Sequence, residues 1–305
     1  MNTFRTTINL KPADFKINHD DKILCVGSCF AENMGERLRD AMIPVYINPF
    51  GISYNPISIA EAIKFSRDNT QFVKENLYFD GQLFHSWQHH GSFSSTDAAL
   101  TLTKINTHIN EAHLFSATHI IITFGTARVY ELIEQKRIVN NCHKVPAKFF
   151  KKRLLSVKEI VEVYTPLFAD LLNAGKKIIL SVSPIRHLRD GFVENNVSKS
   201  ILILAIHRLL EIFPEGVHYF PAYEIVLDDL RDYRFYADDM IHPSTPAIEY
   251  IWQNFQSVYF NDTTKNRMNE ITKIKKMQAH RPLHPETKNH EDFKKKLEQK
   301  NINHF

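Results

Sequence analysis

Three side chains of this 305-residue protein have the types that acyl transfer requires, and two of them form one short motif. Asp239 and His242 give the pattern D-x-x-H. A carboxylate three residues before an imidazole can accept the proton on Nδ1 and leave Nε2 free as a general base. Asp238 is adjacent and could take the place of Asp239. The motif therefore predicts a histidine base oriented by a carboxylate. Acyl transfer also requires a nucleophile.

Ser28 is the first candidate for that nucleophile. It follows the apolar run KILCVG and precedes a predicted helix, so it lies where a buried strand turns into a helix. The N–H groups at the start of a helix are unpaired, and the helix dipole favours negative charge there, as acyl transfer needs. A serine at this position also suits a simple helix cap. We expect Ser28 to be the nucleophile and keep helix capping as the alternative.

Cys29 is the rival nucleophile because it lies next to Ser28. A cysteine at a helix N-terminus is often reactive. Two adjacent residues at a turn point in different directions, so only one of them can face a pocket. We expect Cys29 to pack beside the site and Cys25, inside the apolar run, to be a core residue.

The histidines of FHSWQHHG (residues 84–91) do not predict a metal site. His85 and His89 would converge on a metal only if they lay on a helix, and the pattern around them indicates a hairpin. The three cysteines fit no zinc spacing. We therefore expect no metal and no cofactor, and a histidine of this group is better placed to line a substrate pocket.

Apolar runs alternate with helical patterns along the chain. The runs at 22–27, 119–125, 176–184 and 216–220 predict strands, and helices are predicted over 30–41, 97–114, 156–174 and 195–213 and from near residue 244. This order predicts an α/β fold whose parallel sheet is covered on both faces. Ligands bind at the carboxyl ends of such strands, here Gly27-Ser28, Gly125-Thr126 and Ser183-Pro184.

Two antiparallel hairpins are predicted in addition to that sheet. One is centred on Asp80-Gly81 within LYFDGQLFHSW, and the other spans RVYELIEQKRIVNN at 128–141.

Composition and charge exclude several classes of protein. With 43% hydrophobic and 24% charged residues the chain has ordinary globular usage. Three cysteines, no run of signal-peptide length and no apolar stretch of membrane-spanning length indicate a cytoplasmic protein without a membrane anchor.

Residues 261–305 hold 11 basic and 6 acidic side chains, whereas the other 260 hold 27 basic and 28 acidic side chains. We expect a domain at 1–260, a basic helical extension at 261–305 that packs on it, and no nucleic-acid binding.

The stretch GSCFAENMG at 27–35 resembles the motif of the GSCFA family, which is related to the SGNH (GDSL-like) hydrolases. Similar stretches are NPFGISYNP (48–56), TFGTARVY (123–130), SPIRHLRDG (183–191), LRDYRFYADDMIHPS (230–244) and HRPLHPE (280–286). The resemblance covers about residues 3–290. It implies a flavodoxin-like three-layer sandwich with a central parallel sheet.

The resemblance also implies a site built from four sequence blocks. Ser28 matches the nucleophile, Gly51 matches a glycine whose N–H helps to bind the oxyanion, Gly125-Thr126 falls in the third block, and Asp239 and His242 match the last. From its place after the third predicted strand, Arg186 is expected either to contact the substrate or to pair with a surface carboxylate, and Cys29 is expected at the substrate site.

Two departures from the SGNH pattern bear on these assignments. The usual Gly-Asp-Ser is Gly27-Ser28-Cys29, so a shift of one residue would make Cys29 the nucleophile. Thr126 stands in the block that usually supplies an asparagine, and loss of one oxyanion donor typically costs 10²–10³ in turnover.

The expected activity is that of a serine esterase that removes a small acyl group, such as O-acetyl on a carbohydrate-like alcohol, through a Ser-His-Asp triad. The alternatives are an acyltransferase, including one that uses Cys29, and a non-catalytic descendant that binds a glycan or a protein.

Overall fold

The computed structural model describes residues 6–279, and within them the chain forms ten strands and eight helices. The strands are β1 (Ile23–Gly27), β2 (Val45–Ile47), β3 (Leu77–Phe79), β4 (Phe84–Ser86), β5 (His119–Phe124), β6 (Arg128–Leu132), β7 (Arg137–Val139), β8 (Phe150–Leu154), β9 (Lys177–Val182) and β10 (Val217–Tyr219). The helices are α1 (Cys29–Asp40), α2 (Pro56–Arg67), α3 (Ala98–Phe115), α4 (Val157–Asn173), α5 (Phe192–Ile212), α6 (Ala222–Glu224), α7 (Thr245–Tyr259) and α8 (Asp262–Ala279). A π-helical turn, Ile225–Leu230, continues α6.

Five parallel strands form the central sheet in the order β10-β9-β5-β1-β2. Thr123 on β5 is paired with Gly27 on β1 and with Ser181 on β9, so these three strands end at one edge. Alternate residues of the strands face opposite sides and both sides are buried. Apolar side chains on both faces explain why the strands are continuous apolar runs such as HIIITF.

Helices cover both faces of the sheet. One face packs against α2, α3, α4 and α5, and the other packs against α1, α6 and α7. The predicted α/β fold with a central parallel sheet between two helical layers is confirmed.

The α8 helix packs on the chain's N-terminal segment and on the end of α1. Met268 is buried in the core, and the Thr264 hydroxyl donates to the Ile17 carbonyl at 3.3 Å. Lys275 forms an ion pair with Asp40 at 3.5 Å. The rest of the predicted basic extension, including HRPLHPE, lies outside the described residues.

Both predicted hairpins are present. The strands β3 and β4 pair antiparallel around Asp80, whose Oδ1 accepts the N–H groups of Gln82 and Leu83 at 2.8 Å each. The second hairpin, β6–β7, gains β8 as a further strand and becomes a three-stranded antiparallel sheet. Neither β8 nor β2 was among the predicted strands.

Candidate functional site

The turn from β1 into α1 depends on Gly27. Its φ is +145°, and a Cβ there would lie 2.2 Å from the Thr123 carbonyl oxygen, so only glycine fits. Its N–H donates to the Asn48 side chain at 2.9 Å. This turn places Ser28 and Cys29 at the carboxyl edge of the sheet.

Ser28 faces inward at this turn. The residue is fully buried, and its Oγ accepts the N–H of Phe30 at 3.2 Å as the N-cap of α1. Its own N–H points to the Thr123 carbonyl at 3.4 Å. Ser28 is not among the residues that line the cleft at this edge, whereas Cys29 is, and this differs from the expectation for a nucleophile.

Cys29 is the residue that faces a cleft. Its side chain is half-buried and lines a cleft of about 580 Å³ at the sheet edge. Its Sγ lies 3.6 Å from the hydroxyl of Tyr54, which also lines the cleft. Burial, followed by the hydrogen bond with Cys29, raises the pKa of Tyr54 above its usual range. The phenol therefore remains protonated and can donate a hydrogen bond.

His242 lines the same cleft, and Asp239 orients it. The Nδ1 atom of His242 lies 2.6 Å from Asp239 Oδ2. The other carboxylate oxygen accepts the backbone N–H groups of Ile241 and His242 at 2.9 Å each. These two backbone bonds and then the imidazole lower the pKa of Asp239 to about 2. The carboxylate is therefore ionised and holds Nδ1, as the D-x-x-H pattern predicted, so that Nε2 is the nitrogen available for proton transfer.

Arg186 links this histidine to the sheet. Its backbone N–H donates to the Ile241 carbonyl at 3.1 Å, and its Nη1 donates to the Met240 carbonyl at 3.1 Å. The guanidinium stacks on the rings of Phe192 and Tyr236, with 4.8 Å and 5.1 Å to the ring centroids. Arg186 lines the cleft as expected, and it also fixes the loop that carries His242.

The third-block residues are positioned by Tyr54. Its carbonyl accepts the N–H groups of Gly125 at 2.8 Å and Thr126 at 3.0 Å. A Cβ on Gly125 would lie 3.1 Å from that carbonyl oxygen, so a larger residue would crowd this turn. The Thr126 hydroxyl is hydrogen-bonded to Ser198 at 2.9 Å. Thr126 lines the cleft, but both its N–H and its hydroxyl already have partners.

Gly51 likewise has no free donor in this structure. Its N–H donates to the Asn48 carbonyl at 2.8 Å. The oxyanion role expected for Gly51 and Thr126 therefore conflicts with the hydrogen bonds that these residues make. Tyr54, which the sequence reading did not select, supplies a hydroxyl donor beside Cys29 instead.

Lys199 is a second residue that sequence reasoning missed. It is fully buried on α5, and its Nζ donates to the carbonyls of Gly125 and Ser183 at 2.7 Å each. Burial lowers the pKa of Lys199 to about 7. The lysine therefore joins the ends of β5 and β9 under the cleft. In the sequence, Lys199 lies in the stretch NNVSKS (195–200), shortly after SPIRHLRDG.

His187 lies between these groups. Its ring meets the Tyr54 ring edge-on at 5.6 Å. Burial lowers the pKa of His187 to about 3, with smaller contributions from the charges of Lys199 and His242. His187 is therefore neutral near pH 7.

The histidines of FHSWQHHG lie in and just after β4, the second strand of the β3–β4 hairpin. His85 bonds Asp80 at 3.0 Å and Ser94 at 2.7 Å, and His89 is fully buried against Phe50 with ring centroids 4.1 Å apart. His90 lines the cleft.

Among residues 6–279, no group of three or more His, Cys, Asp or Glu side chains is arranged to hold a metal ion. Over the same residues, every helix is too short or too polar to cross a membrane.

Comparison with known proteins gives one family. No curated protein matches the chain. Among solved structures, a GDP-L-fucose synthetase from Naegleria fowleri is 11% identical over 88% of this chain and 82% of its own, with a TM-score of 0.24, which is too low to indicate a shared fold. The GSCFA family model matches residues 22–255, which is most of the sequence. This chain is therefore a member of the GSCFA family.

Proposed function

We propose that this protein is a cysteine-dependent acyl-transfer enzyme in which Cys29 is the nucleophile, His242 is its base and Asp239 orients His242. One observation carries the proposal. Cys29 and His242 line one cleft and Asp239 holds His242 at Nδ1, whereas Ser28 is buried as the cap of α1. The proposal puts a thiol mechanism on Cys29 in place of the serine mechanism on Ser28 that the resemblance implies.

The reaction would have two steps. Nε2 of His242 takes the proton of the Cys29 thiol, and the sulfur attacks the ester carbonyl. The tetrahedral intermediate collapses, the C–O bond breaks, and the imidazolium gives its proton to the leaving alcohol. Water, deprotonated by His242, then attacks the acyl thioester, which releases the acid and restores the thiol. An alcohol acceptor in place of water would make the same enzyme an acyltransferase.

Two donors could stabilise the oxyanion of this intermediate. The N–H of Cys29 is in the first turn of α1, where N–H groups have no partner within the helix. The Tyr54 hydroxyl is a protonated phenol next to the sulfur. Together they could supply the two hydrogen bonds that acyl transfer commonly requires, without the missing asparagine.

Small acyl esters, such as O-acetyl groups on carbohydrate-like alcohols, are the proposed substrates, and the proposed compartment is the reducing cytoplasm. All three cysteines are free thiols in this structure, as a thiol nucleophile needs.

The test is to trap the acyl group. After brief incubation with p-nitrophenyl acetate, peptide mass spectrometry should place the acetyl group on Cys29 in the wild type. Cys29→Ala should form no adduct, and its kcat/KM should be at least about 10³-fold lower than that of the wild type. Cys142→Ala, which removes another thiol that lines the cleft, is the matched control and should keep the adduct. An acetyl group on Ser28, or normal turnover by Cys29→Ala, would refute the proposal.

A non-catalytic binding protein is the second candidate, and the bonded N–H groups of Gly51 and Thr126 favour it. It predicts no turnover of any acyl ester. It also predicts that ligand binding, measured by calorimetry, is unchanged by Cys29→Ala.

A further inference from the structure

The walls of the cleft hold more positive than negative charge. Four cationic side chains line it, with one carboxylate: Arg128, Lys152, Arg186, Arg189 and Asp190. Residues 1–260 as a whole hold 27 basic and 28 acidic side chains. The cleft lining is therefore more positive than residues 1–260 as a whole.

Two of the four cations are neutralised by neighbouring carboxylates. Asp190 pairs with Arg128 at 3.2 Å and also with Lys152. Arg128 makes a second ion pair with Glu194, which lies outside the cleft lining. The hydrogen bond from Lys152 is the largest cause of the lowered pKa of Asp190. The two positive charges of Arg128 and Lys152 are therefore balanced by the two negative charges of Asp190 and Glu194.

The other two cations are paired less closely, since Arg189 acts on the pKa of Asp190 through its charge and not through a hydrogen bond. Within the described part of the chain, neither Arg186 nor Arg189 makes an ion pair. The Arg186 guanidinium has a carbonyl and aromatic rings as neighbours, neither of which removes its charge. Arg189 is exposed, lines the cleft and lies close enough to Cys142 for its charge to oppose the effect of burial on that thiol's pKa.

These two arginines belong to the segment that contacts the loop of His242, where the leaving alcohol must be protonated. His242 must protonate the leaving alcohol, and Arg186 is bonded to the two residues that directly precede His242. Arg189 is three residues further along the same segment after β9. A group on the alcohol part of a substrate would therefore meet them, whereas the acyl part lies at Cys29.

We infer that this enzyme selects acyl esters whose alcohol part carries a carboxylate or a phosphate group, bound by Arg189 together with Arg186. The inference rests on the function proposed above and names its substrate class. A guanidinium binds both kinds of anion through paired N–H donors. A cleft lined by one sign of charge also concentrates ligands of the opposite sign, and this effect weakens as salt rises.

The test compares three aryl acetates that share one reacting ester: meta-acetoxybenzoate, meta-acetoxyphenyl phosphate and the neutral meta-acetoxybenzamide. The wild type should hydrolyse at least one anionic ester with a kcat/KM about tenfold above that of the amide. Arg189→Gln should reduce this ratio to about twofold or less, and about 0.5 M salt should reduce it in the wild type. Arg208→Gln, at an exposed arginine on α5, is the matched control and should keep the wild-type ratio.

The outcomes separate the two proposals. A preference for only one anionic ester identifies phosphate or carboxylate as the recognised group. Turnover that depends on Cys29 but is equal for all three esters overturns the inference and leaves the proposed function intact. A ratio that Arg189→Gln does not change also overturns it. Turnover that survives in Cys29→Ala, or no turnover of any ester, contradicts the proposed function itself.

Discussion

The two sides of the cleft are held in different ways. The cleft floor, formed by segments 27–29, 125–126 and 183 at the sheet edge, depends on buried polar groups that have hydrogen-bond partners, including the Lys199 amine. The histidine loop, residues 239–242, is exposed: the Asp239 and His242 side chains are 45% and 46% accessible. Local bonds and the contact with Arg186 hold the loop in place. Substitutions in the floor should therefore change stability, whereas substitutions in the loop should change turnover alone.

Within the histidine loop, replacement of His242 is expected to have the largest effect on activity. His242→Gln removes the general base, which typically contributes 10²–10⁴ in rate, so we expect kcat/KM for an acyl ester to fall about 10³-fold. The melting temperature should stay within about 1 °C of the wild type, because the side chain is exposed. Steady-state kinetics and calorimetry on the same preparation check both outcomes. His207→Gln, at an exposed histidine on α5, is the control. Equal losses of stability and turnover would show that the histidine loop is structural.

Replacement of Lys199 should have the largest effect on stability. Lys199→Met leaves the carbonyls of Gly125 and Ser183 without their buried donor, at a cost of about 1–3 kcal/mol for each. The loss is partly offset because an uncompensated charge is no longer buried. The net change should be on the order of 2 kcal/mol by denaturant unfolding. A variant as stable as the wild type would show that the floor does not depend on this lysine.

The same lysine predicts a pH dependence of stability. Its pKa falls from 10.5 in the unfolded chain to about 7 in the folded protein, so the unfolded chain binds more protons between these values. Stability should therefore increase with pH across this window, by up to on the order of 1 kcal/mol per pH unit. Comparison of the wild type with Lys199→Met isolates this slope, which the variant should lack. Parallel pH profiles of the two proteins would contradict the assignment.

The sequence predicted the sheet and the histidine loop because both are encoded by local patterns. An apolar run such as HIIITF must be buried on both faces, and the D-x-x-H spacing alone brings the carboxylate to Nδ1. Strand β8, with the sequence FKKRL, was missed because its lysines interrupt the alternation of apolar and polar residues, although Phe150 is buried.

The floor was harder to predict because its contacts join distant parts of the chain. Whether Ser28 or Cys29 faces the cleft depends on the backbone at Gly27, whose φ is +145° and where the Thr123 carbonyl leaves no room for a Cβ. A lysine on a helix normally points to solvent, and Lys199 is buried only because two strand ends present carbonyls to it. Such contacts between residues far apart in the sequence leave no periodic pattern from which they could be predicted.

Loss of the Arg186 side-chain contacts should have an intermediate effect, and this effect should be on turnover. Arg186→Gln removes the bond to the Met240 carbonyl and the ring contacts, but it keeps the backbone bond to Ile241. The histidine loop should then sample positions away from Cys29, and kcat for the neutral ester should fall about tenfold with little change in melting temperature. Arg234→Gln, an exposed arginine in the preceding segment, serves as the control. Unchanged kcat would show that Asp239 alone fixes the imidazole.

Removal of the Ser28 hydroxyl is the smallest change and the sharpest test of the comparison, because it touches the cleft floor directly beside the proposed nucleophile. Ser28→Ala deletes the cap that accepts the Phe30 N–H at the start of α1, and loss of such a cap costs about 1 kcal/mol. We expect the free energy of unfolding to fall by that amount, while the acyl adduct on Cys29 and most of the turnover remain. Ser58→Ala, which also removes a buried hydroxyl at the start of a helix, is a matched control for stability. A large loss of turnover in Ser28→Ala without a loss of stability would restore the serine mechanism, because a cap acts on the helix and a nucleophile acts on the substrate.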